Sequence, residues 1–135
     1  MASLSWNDNY SVNIKEIDDQ HKKLLVLVGN LHAAMLQGQG KQALGKVLDG
    51  VVSYAASHFA AEERLMKANG YPQYEEHRTI HEKMTQKVLD IQKQYHQGKV
   101  NITLDTMKFL EDWVAKHIMG TDKKYGPYLN GKGVF

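Results

Sequence analysis

Cysteine is absent from these 135 residues. That excludes a disulfide framework, a thiolate nucleophile, and zinc or iron–sulfur sites built on thiolates. Proline occurs only twice, so little interrupts long helices. The longest apolar run, Leu24 to Val28, is far short of the ~20 residues that a membrane-spanning helix needs. Charge is nearly balanced: 17 Lys and Arg against 15 Asp and Glu leave +2, too little to argue for nucleic acid or an anionic membrane. Met1 to Tyr10 has neither the basic start nor the apolar stretch of a signal peptide. The expectation is a monomeric cytoplasmic protein with no nucleic-acid partner and no membrane insertion. What is present is the composition of a soluble globule, 42% hydrophobic and 24% charged, in a chain long enough for one domain with a real core. Seven histidines are the unusual feature.

Apolar residues recur at helical spacing throughout, and Gly and Pro divide the chain into an arm and four helical segments. The fold class expected is all-α, an up-down-up-down four-helix bundle with an N-terminal extended arm. Residues 1–17 form the arm, carrying Trp6, Tyr10, Val12, Ile14 and Ile17; residues 18–120 form the bundle; residues 121–135 form a C-terminal segment with Tyr125, Tyr128 and Leu129. Acidic Asp18 or Asp19 suits the start of the first helix, which ends near Leu36. The second spans Lys41 to Ala68 and stops at Asn69-Gly70. The third opens at Pro72 and ends near Gln97. The fourth spans Thr103 to Met119 and stops at Gly120.

Each apolar stripe also carries metal-capable side chains. His21 lies one turn before Leu24/Leu25; His58 and Glu62 interrupt the second stripe; His77 and His81 open the third; His117 closes the fourth. Short connections favour antiparallel neighbours, and that order brings the start of the first and third helices to the same end as the finish of the second and fourth. All six residues then converge on one level of the core, with Asp122 just beyond. Unpaired, such groups would cost roughly 1–3 kcal/mol each to bury; a metal removes the cost. Five imidazoles and two carboxylates are too many for one tetrahedral zinc. Calcium and magnesium prefer oxygen, and Arg78 stands where a zincin would have glutamate. A dinuclear centre suited to iron is left. His32 and His96 read as surface or rim residues, and Gln20 and Asp18 as candidates to support the ligands.

The segments Ile17-Asp18-Asp19-Gln20-His21, His58-Phe59-Ala60-Ala61-Glu62, His77-Arg78-Thr79-Ile80-His81 and Trp113 through Asp122 resemble the hemerythrin family over nearly the whole chain. The resemblance implies two non-haem irons bridged by an oxo or hydroxo group. One would be held by His77, His81 and His117, the other by His21 and His58, with Glu62 and Asp122 bridging them. If each iron takes roughly six ligands, the second is one short, and dioxygen would bind there, both irons passing from ferrous to ferric and back. Phe59, Trp113, Val114, Ile118 and Met119 neighbour ligands and are expected to wall a dry pocket around the bound gas. The implied role is reversible O2 binding for transport, storage or delivery to an oxygen-using protein partner, rather than catalysis. The alternatives are an oxygen or redox sensor acting through a separate partner, and an enzyme reacting with peroxide or nitric oxide.

Overall fold

The computed structural model describes residues 6–38, 40–99 and 103–135, apart from the side chain of Leu104. Four long helices, α1 (Lys15–Leu36), α2 (Lys41–Ala68), α3 (Tyr74–His96) and α4 (Leu104–Lys116), are followed by a short α5 (Gly126–Gly131). There is no strand among the described residues, and no helix among them is long and apolar enough to cross a membrane. α1 packs against α2 and α4, and α2 also against α3; the seam between α3 and α4 is looser. The stops fall at glycines where only a left-handed backbone closes the helix: Gly70 follows α2 with φ +65° and Gly98 follows α3 with φ +74°. The expected bundle is present, and the bounds of α2 are those read from the sequence.

Three boundaries differ. α1 starts three residues ahead of Asp18, so Ile17 belongs to the helix and not to the arm. Ile14 is the extended residue at its N-cap and has no side-chain cap bond. Asp18 instead lies in the first turn and reaches back to the arm, accepting from the Ser11 hydroxyl at 2.6 Å and the Val12 N–H at 2.9 Å. Its carboxylate is an anchor for the arm and touches no histidine. The arm is not wholly extended either, since Asp8–Tyr10 forms a 3-10 turn whose Asn9 N–H bonds the Asn7 side chain. Met1 to Ser5 lie outside the described residues. α3 begins at Tyr74 rather than Pro72. Gly120 is no stop, because its φ is not positive and the chain continues through it as a π-helical turn, His117–Thr121.

Two apolar layers hold the molecule together. The larger contains Leu24, Leu25, Val28, Leu31, Leu48, Val51, Met107, Leu110 and Val114. The smaller contains Val12, Ile14, Ile17, Met66, Tyr71, Tyr125 and Leu129, where the arm and α5 close one end of the bundle. Burying such side chains contributes roughly 1.5–3 kcal/mol each. The closure is tight: a Cβ at Gly126 would stand 2.8 Å from the Val12 carbonyl oxygen. Along each helix, the metal-capable residues fall between these two layers. His21 lies between Ile17 and Leu24, and His58 and Glu62 between Ala55 and Met66.

His32 corrects the expectation that it is a surface or rim residue. Only 4% of it is exposed, and its Nδ1 sits 2.9 Å from the Glu111 carboxylate, tying α1 to α4. Eleven residues are almost three whole helical turns, so His32 shares the inward face of His21, three turns further along. His96 does lie at the surface, bonded to Asp49 at 2.7 Å. Replacing His32 by Ala should cost about 1–3 kcal/mol, because it empties a buried site and strands Glu111. Urea denaturation measures the loss, and iron content should not change.

Candidate metal centre

The seven side chains singled out in the sequence meet in one buried polar layer, each of them shielded from solvent. They form two overlapping groups: Glu62, His77, His81, His117 and Asp122 in one, and His21, His58, Glu62 and Asp122 in the other. The two carboxylates are common to both. Asp122 turns Oδ1 to His77 Nε2 at 3.0 Å and His117 Nε2 at 2.8 Å, and Oδ2 to His21 Nε2 at 2.9 Å. Glu62 Oε1 stands between the groups, 3.1 Å from His58 Nε2 and 3.3 Å from His81 Nε2.

The π-helical turn explains how His117 and Asp122 both face inward. In an α-helix, residues five apart point to different faces. Here the Asp122 N–H bonds the His117 carbonyl, an i to i+5 closure that widens the turn and brings the two side chains onto one face. The expected stop at Gly120 is absent, and the widened turn carries the Asp122 carboxylate inward without breaking the helix.

The short N···O approaches are not hydrogen bonds. Of nine buried side-chain nitrogen and oxygen atoms without a hydrogen-bond partner among the described residues, eight belong to this cluster, including Nε2 of His21, His58 and His77 and both oxygens of Asp122. Their lone pairs face shared points, not one another's hydrogens. Ligand atoms about 2.1 Å from one metal and at right angles to each other lie about 3 Å apart, which is the spacing found. The donor set, imidazoles with shared carboxylates and no thiolate, suits two iron ions.

Outer partners fix the rings. His58 Nδ1 faces Gln20 Oε1 at 2.6 Å and His81 Nδ1 faces Glu63 Oε2 at 3.0 Å. A proton on each Nδ1 leaves Nε2 free to turn inward. Gln20 therefore supports the cluster, as expected, while Asp18 does not. Glu63 and Tyr125 escaped the sequence reading. Tyr125 is fully buried and donates its hydroxyl to Glu62 Oε2. Burial, and then the negative charges of Glu62 and Asp122, push the Tyr125 phenol well above its ordinary pKa of 10, so it remains a donor. The available signal was position: three residues past Asp122, within one turn of it.

Charge in this layer is mutually sustained. In the metal-free protein burial disfavours imidazolium at His21, but the adjacent carboxylates of Asp122 and Glu62 override it and raise the pKa to about 9. His117 is likewise held up to about 10, against burial, by Asp122 and then Glu62. Burial opposes ionisation of Glu62, yet His58, His117 and His21 hold it well below the usual carboxylate range. Asp122 is lowered too, against burial and the charge of Glu62, by His117 and His21. Two carboxylates kept anionic inside an apolar bundle make a natural seat for divalent or trivalent cations.

The model of a family described as the hemerythrin HHE cation binding domain matches residues 12–129. The chain belongs to the hemerythrin family. It is 35% identical over 131 residues to a bacteriohemerythrin of Methylococcus capsulatus, covering 96% of this chain and 99% of that one. It is 36% identical to a bacteriohemerythrin of Stenotrophomonas maltophilia over 93% of this chain and 80% of the relative. The crystal structure of a wild-type hemerythrin superposes with a TM-score of 0.90 at 35% identity, covering 95% of this chain and 98% of that one. In this hemerythrin-family chain the polar layer is thus a two-iron site by donor chemistry and by kinship.

The residues expected around the gas pocket divide. Phe59 stacks on His81 with ring centroids 4.0 Å apart and 10° between planes, and lies 5.4 Å from His117 and 6.0 Å from His58. Trp113 meets Phe59 edge-on at 5.9 Å. Val114 and Ile118 are buried in the larger apolar layer. Met119 is 46% exposed and walls nothing. The widened turn that directs Ile118 inward leaves its neighbour on the outer face.

Proposed function

We propose that this chain binds dioxygen reversibly at its di-iron centre and serves in the cytoplasm to carry, store or deliver O2. His77, His81 and His117 would hold one iron, His21 and His58 the other, with Glu62 and Asp122 shared between them. The observation that carries the reading is the unequal sharing of five imidazoles between two groups joined by the same two carboxylates. Three imidazoles and two oxygens would nearly fill the first iron; two imidazoles and two oxygens would leave the second with room for a small ligand. The chemistry that ferrous irons held there would supply is the pair of electrons that binds O2.

The protein's own residues do the rest. Gln20 and Glu63 orient His58 and His81, and Tyr125 fixes Glu62. Phe59, Val114 and Ile118, with Trp113 outside them, keep water away. A binding protein is favoured over an enzyme because the acid–base groups beside the ligands are committed, Tyr125 to Glu62, where it is held neutral, and Glu63 to His81.

Purified protein should contain two irons per chain by metal analysis, with little zinc. Its diferrous form, mixed with O2 and then stripped of the gas, should gain and lose an oxygenated absorption spectrum over repeated cycles. One iron per fully loaded chain would defeat the dinuclear reading. Oxidation to an inert diferric form within a single cycle would defeat reversible carriage and favour an oxidase or a one-shot sensor.

A further inference from the structure

The looser seam between α3 and α4 opens as a groove of about 400 Å³. Its floor is apolar, made by Met84, Phe109 and Trp113, and its rim carries Lys83, Lys87 and Lys116 against a single acid, Asp112. None of the three lysines has an ion pair among the described residues; Lys87 lies over the Phe109 ring at 5.5 Å. Elsewhere on α3 the charges are partly neutralised, as where Arg78 reaches both Glu75 and Glu82. A cationic rim around an aromatic floor fits an acidic protein surface with an apolar centre, the usual plan of a docking site.

The floor also leads inward. Trp113 lines the groove and meets Phe59 at 5.9 Å, and Phe59 stacks on His81 at 4.0 Å. Two aromatic rings in series, Trp113 and Phe59, join the groove to His81 of the cluster. We propose that the α3–α4 groove docks a small acidic one-electron carrier protein, which reduces the iron centre through Trp113, Phe59 and His81. Two carriers would each lose one electron and both irons would pass from ferric to ferrous; a proton from solvent would offset one of the two added charges, leaving the centre one unit more negative. No bond to the protein forms or breaks. The electron step rests on the di-iron reading, whereas docking depends on the groove alone.

The test uses a plant-type [2Fe–2S] ferredoxin, a small acidic carrier, as probe, and basic cytochrome c as its opposite. Binding to isotope-labelled protein, with iron and without, is followed by amide chemical shifts; reduction of the oxidised centre is followed by stopped-flow. Shifts should centre on the seam between α3 and α4, and affinity should fall as salt rises. The K83E/K87E/K116E variant should bind on the order of tenfold more weakly or worse, with its iron content and limiting reduction rate unchanged. Lys46→Glu, on α2, should bind as wild type. Trp113→Leu should lower the limiting rate, which the lysine reversals spare. Wild-type affinity in the triple variant, shifts on another face, equal binding of cytochrome c, or binding to anionic vesicles but not ferredoxin would each overturn the docking face. An unchanged limiting rate in Trp113→Leu would overturn the route. Protein that holds no iron would defeat the di-iron reading, while docking would still be read on the metal-free chain.

Discussion

Glu62→Ala should leave the protein unable to hold its two irons and should erase most of the difference in melting temperature between iron-loaded and iron-free protein. A ligand at a thousand times its Kd adds about 4 kcal/mol of stability. Each kcal/mol is worth roughly 3–5 °C in a chain of this size, so the wild-type difference should be ~12–20 °C. Glu62 Oε1 stands between His58 of one group and His81 of the other, so its removal disables both groups at once. It also strands the Tyr125 hydroxyl, which has Glu62 as its acceptor, at a further cost of about 1–3 kcal/mol. Tyr125→Phe separates the two effects. It keeps the carboxylate and should keep both irons, narrowing the difference by only about 1–2 kcal/mol. Metal analysis and calorimetry on the two variants decide the matter. Two irons and an undiminished melting difference in Glu62→Ala would show that the bridging carboxylate lies elsewhere.

Much of this site was legible because its constraints are periodic. His21, His58, Glu62, His77, His81 and His117 each fall in register with an apolar stripe, and antiparallel order alone brings those stripes to one level. Gly70 and Gly98 mark helix ends because a positive φ there favours glycine. The misreadings have equally local causes. Asp18 has the chemistry of an N-cap but spends its carboxylate on the arm, and no helix-start rule anticipates a partner that lies upstream. Gly120 resembles a stop, yet a turn five residues wide also brings His117 and Asp122 inward, and that is the route the chain takes. His32 is eleven residues from His21, and its angle around the helix, not that separation, places it inside. Tyr125 and Glu63 act on ligands from other parts of the chain, and only the packed structure brings them within reach. Across 63 positions, nothing in the local pattern links Tyr125 to Glu62.

Opening the outer wall should shorten the life of the oxygenated protein without emptying the site of iron. Trp113 stands between the α3–α4 groove and Phe59, whose ring covers His81. Trp113→Ala removes the indole and lets water approach the ligand layer, where proton supply promotes irreversible oxidation of the irons. If entering water supplies a single hydrogen bond worth about 1.5 kcal/mol to the escaping state, decay should quicken roughly tenfold. The ligands lie deeper, so iron content should stay at two per chain, although the lost packing lowers stability by a few kcal/mol, about the lower end for a buried Trp. Trp113→Phe should restore most of the lifetime. Met119→Ala, altering a side chain that is 46% exposed, should leave it untouched. The measurement is the decay of the oxygenated absorption band in the four proteins, with iron assayed on the same samples. Equal lifetimes in wild type and Trp113→Ala would place the water barrier wholly in Phe59, Val114 and Ile118; faster decay in Met119→Ala alone would mean that gas and water enter across the outer face of the π-helical turn, not through the groove.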